Sequence, residues 1–356
     1  MPTSSRHRWI ALTGFAALSA AAGLFLLWNT NVLGEETFCD DIVSPTEMSS
    51  VLDSAGRISE VRSLGKPVTA LSCRTERTSR FLGKESMEFE ISTEVHEPDF
   101  QFQTHTWKNP SDMSFFSNGS TGAVSDQRGW VLLPEACRGK VGMATPGGRQ
   151  MPEVDEVVTV DAVIKGGATD RSALARMLVA AAHRIAAQAG CVTSGQAEEP
   201  QLQARKTAPT DAAAVCGLPG FTLPRQALIE GEAALNTERI SGSMPGTWSC
   251  GLDLSGNAEG TIWFSASSDP RIVSSTLLND DRFRDLPGGA GKVDTLRNAH
   301  ALICGDKTVY FTMRWSDEYW GAVNEPSAAL SHEMLQSFID SARTNYACPA
   351  VPLPAP

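Results

Sequence analysis

The chain is short of the patterns that announce chemistry. No two of its eight cysteines stand two residues apart, so the spacings of structural zinc knuckles and thioredoxin-like redox centres are absent. One histidine, His332, opens a string resembling a helical zinc-hydrolase signature, but Gln336 stands where the second ligand belongs. His96 and His105 lie in a polar, strand-rich stretch and read as ordinary exposed residues rather than a metal pair. No glycine-flanked serine forms a hydrolase elbow, and the glycine-rich run ending at Lys292 has Val293 where a phosphate loop needs Ser or Thr. Asp40-Asp41 and Asp280-Asp281 are too sparse for a calcium loop. No catalytic residues, metal ligands or cofactors are therefore expected.

Positive charge is also scarce. The formal net charge is -11, and beyond residue 34 there are 28 Lys plus Arg against 41 Asp plus Glu. A protein that neutralises several phosphates needs a basic face, so nucleic acid is excluded as a partner. The same acidity keeps the chain soluble.

Only one long apolar run is present. Residues 9–28 carry no charge, follow Arg6 and Arg8, and begin and end with Trp. Twenty helical residues at about 1.5 Å each cover about 30 Å, the thickness of a hydrocarbon core. A cleaved signal peptide normally has a shorter apolar stretch, so the favoured reading is a retained signal anchor. Residues 1–8 then form a cytoplasmic tail, because the basic residues precede the span. Residues 29–38 form a tether and the bulk is extracytoplasmic. Secretion after signal cleavage near Val32-Leu33-Gly34 is the alternative.

Exported chains meet oxidising conditions, which makes the cysteines informative. Cys39, Cys73, Cys137 and Cys191 are spaced 34, 64 and 54 apart; Cys216, Cys250, Cys304 and Cys348 are spaced 34, 54 and 44 apart. TALSC at residues 69–73 and GTWSC at 246–250 fall at matching points, and Arg62, Gly65 and Ser72 align with Arg239, Gly242 and Ser249. Counting back from the last cysteine of each set aligns Asp170, Met177 and Leu178 with Ser327, Met334 and Leu335. These coincidences mark an internal duplication: repeat 1 over 39–191, a linker over 192–215, repeat 2 over 216–348 and a Pro-rich extended tail over 349–356.

Within a repeat, Ser44-Pro45-Thr46-Glu47 has the form of a capping box, predicting a short helix after Cys39. Residues 223–235 suggest its counterpart. Residues 87–95 alternate apolar and polar, as do Trp248, Cys250, Leu252 and Leu254, which predicts strands. Leu174, Met177, Leu178, Ala181 and Ile185 recur at helical spacing, as do Leu330, Met334, Leu335, Phe338 and Ala342. The expected fold class is α+β: two related domains, each an antiparallel sheet with helices packed on one face and two disulfides. Four cysteines allow three pairings. The preferred one joins outer to outer and inner to inner: Cys39 with Cys191, Cys73 with Cys137, Cys216 with Cys348, and Cys250 with Cys304.

One stretch stands out, RWSDEYWG at residues 314–321. Trp315, Tyr319 and Trp320 flank Asp317 and Glu318 where a strand leaves the sheet, and aromatic residues in a loop make stiff contact surfaces. They are the candidate ligand-binding residues. The layout of a basic start, one span, an Ala-rich exported body and paired four-cysteine repeats resembles uncharacterised membrane-anchored exported proteins of high-GC Gram-positive bacteria. That resemblance is one of layout and implies no site residues. The expected function is that of a membrane-tethered tandem binding or scaffold protein whose partner is a cell-envelope component or another protein. An exported enzyme with a site assembled from distant residues is the alternative.

Overall fold

The structure is a computed structural model. It describes residues 4–354 except 32–33, 54–55, 65–69, 80–85, 98–109, 146–147, 154–155, 192–196, 229–234, 255–256, 278–279 and 324–326. The first element is helix α1 (Ser4–Asn29). The side chains of residues 4–12, 14, 27 and 28 within it lie outside the description, and among the described residues no helix is long and apolar enough to cross a membrane.

Repeat 1 begins with α2 (Pro45–Val51). Ser44 caps it as expected: its Oγ accepts the Glu47 N–H, and the Glu47 carboxylate accepts the Ser44 N–H. Strands β1 (Arg57–Leu64), β2 (Ser72–Thr78) and β3 (Met87–His96) follow as a meander. Then come β4 (Ser114–Phe116), β5 (Gly122–Val124), β6 (Arg128–Leu132), a small hairpin of β7 (Met143–Thr145) with β8 (Gly148–Gln150), β9 (Val157–Lys165) and α3 (Arg171–Gln188). Asp170 caps α3 by accepting the Ala173 N–H, and the five residues at helical spacing are all buried.

Repeat 2 contains β10 (Arg205–Pro209), β11 (Leu235–Gly242), β12 (Thr247–Leu254), β13 (Asn257–Ser267), α4 (Pro270–Thr276), β14 (Arg284–Asp285), β15 (Gly291–Asp294), β16 (Ala299–Cys304), β17 (Lys307–Trp315), α5 (Asp317–Ala322) and α6 (Ala328–Ala342). The expected early helix is here a single 3-10 turn, Arg225–Ala227; residues 229–234 of that expectation lie outside the description, and Leu235 already belongs to β11. The stretch expected as linker contributes β10, which pairs antiparallel with β11. Its sequence, RKTAP, is polar because an edge strand is half solvated.

The two large sheets are antiparallel and share one topology. The first runs β1-β2-β3-β9-β6-β5-β4, and the second β10-β11-β12-β13-β17-β16-β15-β14. Without β10 the chain visits corresponding positions in the same order. α3 and α6 lie on one face of their own sheets, each over its own apolar core. The opposite faces meet: Met113, Trp130, Leu132 and Val157 of repeat 1 pack with Ile272, Val273, Ala299 and Tyr310 of repeat 2. This explains why β12, expected to alternate, is buried along its whole length. Its second face lies beneath repeat 1.

The disulfides correct the expected pairing. They join Cys39 to Cys73, Cys137 to Cys191, Cys216 to Cys250 and Cys304 to Cys348, leaving no free cysteine. Each domain is stapled sequentially, first to second and third to fourth, because the segment bearing Cys39 or Cys216 lies against the second strand of its meander rather than at the end of the last helix. The Pro-rich tail lies against the domain. Val351 and Leu353 are buried against the repeat 2 core.

Two outcomes follow from this arrangement. Non-reducing peptide mapping is expected to recover the four sequential crosslinks and no Cys39–Cys191 species. Glu47 also receives both Nη atoms of Arg184, at 2.9 and 2.7 Å, tying α2 to α3. Partial burial pushes its carboxyl up, but the Arg184 and Ser44 hydrogen bonds outweigh burial and hold it below the ordinary 4.5. A lowered folded value favours the ionised form, so this stabilisation is present above the ordinary value and lost as pH falls through the lowered one. Glu47→Gln is expected to lower the urea midpoint at neutral pH and to flatten its decline below about pH 5.

Candidate binding site

The aromatic motif begins where β17 ends. Ser316 fixes the turn: its backbone N–H donates to the Thr261 carbonyl at 2.8 Å, and its Oγ accepts the Thr261 N–H at 3.0 Å. Ser316 also caps α5 by accepting the Tyr319 N–H. The expected loop is thus a short helix in its first part, and residues 324–326 lie outside the description. Helical spacing separates the three candidates. Tyr319 turns inward, is fully buried, and donates its hydroxyl to the Ala227 carbonyl at 3.1 Å; burial pushes its pKa above the usual tyrosine range. It is a core residue and presents nothing to a ligand. Trp315 and Trp320 come together, ring centroids 5.5 Å apart and tilted by 34°. Trp315 packs partly against the core, whereas Trp320 is 37% exposed. Together they form an apolar ledge beside the two acids of the first turn of α5.

The histidine expectation resolves differently. His105 lies outside the described residues. His96, at the end of β3, is largely covered: its Nε2 is 2.8 Å from the Thr159 Oγ1, whose hydroxyl donates to the buried Asp161. With that proton committed to Asp161, the histidine ring nitrogen is the donor to Thr159. Burial pushes the neighbouring Glu94 up, and the Asp161 charge adds to the shift against the Ser92 hydrogen bond. Thr159 is completely buried, so this is an internal polar chain rather than a site open to substrate.

Two carboxylates escaped sequence reasoning. Glu60 of β1 accepts the backbone N–H of Cys39 at 2.7 Å, and Glu238 of β11 accepts that of Cys216 at 2.8 Å. Both cysteines have positive φ, 58° and 60°. The ungapped alignment sets the two glutamates one position out of step because β1 carries a bulge between Glu60 and Arg62. Glu60 lies close to Cys39 and Cys73, forming a group with metal-ligand proximity, but both sulfurs are committed to a disulfide.

Polar contacts lock the two repeats together. Asp112, in the turn Pro110–Asp112, receives Arg239 at 2.7 Å and Arg205 at 3.5 Å, and Arg239 also donates to Asp253. Burial pushes the Asp112 carboxyl above its ordinary value despite both guanidiniums. Thr121 donates to Asp269 at 2.7 Å across the same junction. At its edge lies an open cleft of about 200 Å³, lined among others by Glu135, Arg138 and Glu156 of repeat 1 and Arg271 and Ser274 of repeat 2. That volume is small beside the several hundred Å³ of a typical small-molecule site.

The chain matches no protein-family model, no curated protein and no solved structure.

Removing Asp112 leaves Arg239 and Arg205 facing each other at the junction. Because Asp112 is 38% exposed, Asp112→Ala is expected to cost only about 1–2 kcal/mol in urea unfolding. It is also expected to speed hydrogen exchange in β11 and β12 while leaving α3 protected.

Proposed function

We propose that the chain is a membrane-tethered, extracytoplasmic tandem-domain binding protein that holds two disulfide-stapled domains at the outer face of a membrane and presents the Trp315–Trp320 ledge to a cell-envelope component or another protein. The exposed face of α1 carries this reading. Phe15, Leu18, Leu24, Phe25 and Leu26 are 42–73% exposed on several sides of the helix, so the folded body does not cover them. A contiguous apolar surface of this kind needs a nonaqueous neighbour, and the uncharged run over residues 9–28 fits a bilayer. The four disulfides suit an oxidising compartment. Partner binding through paired tryptophans follows the general enrichment of aromatic anchors at interfaces.

The anchor and the ledge are tested separately. The full chain is expected to remain in the membrane fraction after alkaline carbonate extraction, whereas residues 35–356 expressed with a cleavable export signal are released; release of the full chain removes the anchor. Affinity capture on envelope extracts is expected to lose its specific partner when Trp315 and Trp320 are both replaced by Ala. Unchanged capture removes the ledge.

A further inference from the structure

From Ala350 to Pro354 the residues after Cys348 alternate in burial. Val351 and Leu353 are 5% and 7% exposed, whereas Pro349, Ala350, Pro352 and Pro354 face solvent. The segment runs along α6, and Gln336 reads its backbone with both ends of one amide. Its Nε2 donates to the Val351 carbonyl at 3.3 Å, and its Oε1 accepts the Leu353 N–H at 2.8 Å. Asp340 orients that amide by accepting from the same Nε2 at 3.1 Å. One turn earlier on the helix, the His332 Nε2 donates to the Leu353 carbonyl at 3.3 Å. An amide side chain bonded to the C=O of one residue and the N–H of the residue two further on imitates a neighbouring strand, which is how grooves hold extended peptides. Proline fits the alternate positions: it has no N–H to leave unsatisfied, and it keeps the backbone extended before docking.

The duplication supplies a control. With Met177 set against Met334, the residues of α3 that correspond to His332 and Gln336 are Ala175 and Val179, both buried. Repeat 1 builds the same sheet and helix without polar readers, so the fold does not require them. Repeat 2 alone carries a pair aimed at an extended backbone.

We propose that α6 of repeat 2 bears a peptide-binding groove for an extended apolar-Pro-apolar-Pro segment, occupied in the resting chain by residues 349–354 and available to a partner polypeptide of that pattern when the segment leaves. Tethering gives the resident segment an effective concentration of about millimolar, so it acts as an autoinhibitory strap against weaker or dilute competitors. The groove is separate from the Trp315–Trp320 ledge, and neither the ledge nor the anchor enters its test.

The probe is a labelled peptide, PAVPLP, followed by fluorescence anisotropy with the full chain, residues 1–356, in detergent micelles. A chain ending at Cys348 is expected to bind it at least tenfold more tightly than the intact chain. A second open form keeps full length and carries Val351→Asp with Leu353→Asp to eject the strap; it is expected to match the truncated chain. Adding Gln336→Ala to either open form is expected to weaken binding at least tenfold, and a peptide with Asp at the two apolar positions is expected not to bind. Folding is checked by intact disulfides and an unchanged circular dichroism spectrum. No binding by a folded open form, equal binding by the intact chain, or indifference to Gln336→Ala overturns the proposal. Failure of both open forms to fold also overturns it, because the segment is then an integral piece of the domain core.

Discussion

In each repeat a glutamate holds the backbone N–H of a cysteine whose chain has turned into the left-handed region, and that cysteine is bonded to the second strand of a meander. The rest of the domain depends on this clamp. A side chain other than glycine at such a φ costs on the order of 1 kcal/mol, and in repeat 1 Asp40 and Asp41 follow Cys39 with φ of 54° and 67°. The turn persists because the disulfide and the Glu60 hydrogen bond fix it from two sides. Closing the 34-residue loop restricts the unfolded chain by about 4 kcal/mol on the chain-entropy estimate. Once the clamp is set, Phe38, Ile42 and Val43 enter the core, and α2 is delivered to α3 in reach of Arg184.

The second clamp, Cys137 to Cys191 and Cys304 to Cys348, ties the end of the last helix to the approach from the sheet's far half. Sequential stapling leaves the helix-free face of each sheet unencumbered by crosslinks, and on those faces the copies diverge. Register places Asp161 of repeat 1 opposite Ser92 and Trp130, while the corresponding Thr312 of repeat 2 lies opposite Ser265 and Ala299. At these register positions one copy has an aromatic beside a carboxylate and the other a small residue beside a hydroxyl. A shared backbone therefore carries different side chains on the faces where the two copies pack against each other.

Much of this was legible because local physics is written locally. The caps Ser44, Asp170 and Ser327 each form the hydrogen bond their position implies, and the apolar stripes of α3 and α6 are the faces that are buried. The duplication was legible through intervals that survive divergence. Disulfide partners were not, because spacing records how much chain lies between cysteines and nothing of how strands are stacked. Tyr319 was misread for a related reason: RWSDEYWG gives three aromatics, but which one turns inward depends on a helical turn starting at Ser316 and on a hydrogen bond to the Ala227 carbonyl in a distant segment. Glu60 and Glu238 were hidden by one bulged residue, Val61, which shifts the register between copies without changing the cysteine interval.

The edges of the two sheets show what each copy must solve alone. In repeat 2, β10 covers β11, so the unpaired groups pass to a short polar strand ending in Pro209. In repeat 1 the equivalent strand, β1, has no such neighbour among the described residues. It is bent by the bulge at Val61, and the Asn31 Oδ1 accepts the outward N–H of Ile58. Asn29 is buried two residues earlier and accepts from the Ser79 hydroxyl at 2.6 Å. Asn29 ends α1 and Asn31 follows it on the way to Cys39, just as β10 comes from the stretch that precedes Cys216. Counting back from those cysteines, residues 28–32 correspond to 205–209, so each repeat guards the same edge with the chain that leads into it. In repeat 1 that guard includes the end of α1, where Asn29 accepts from Ser79 just beyond β2.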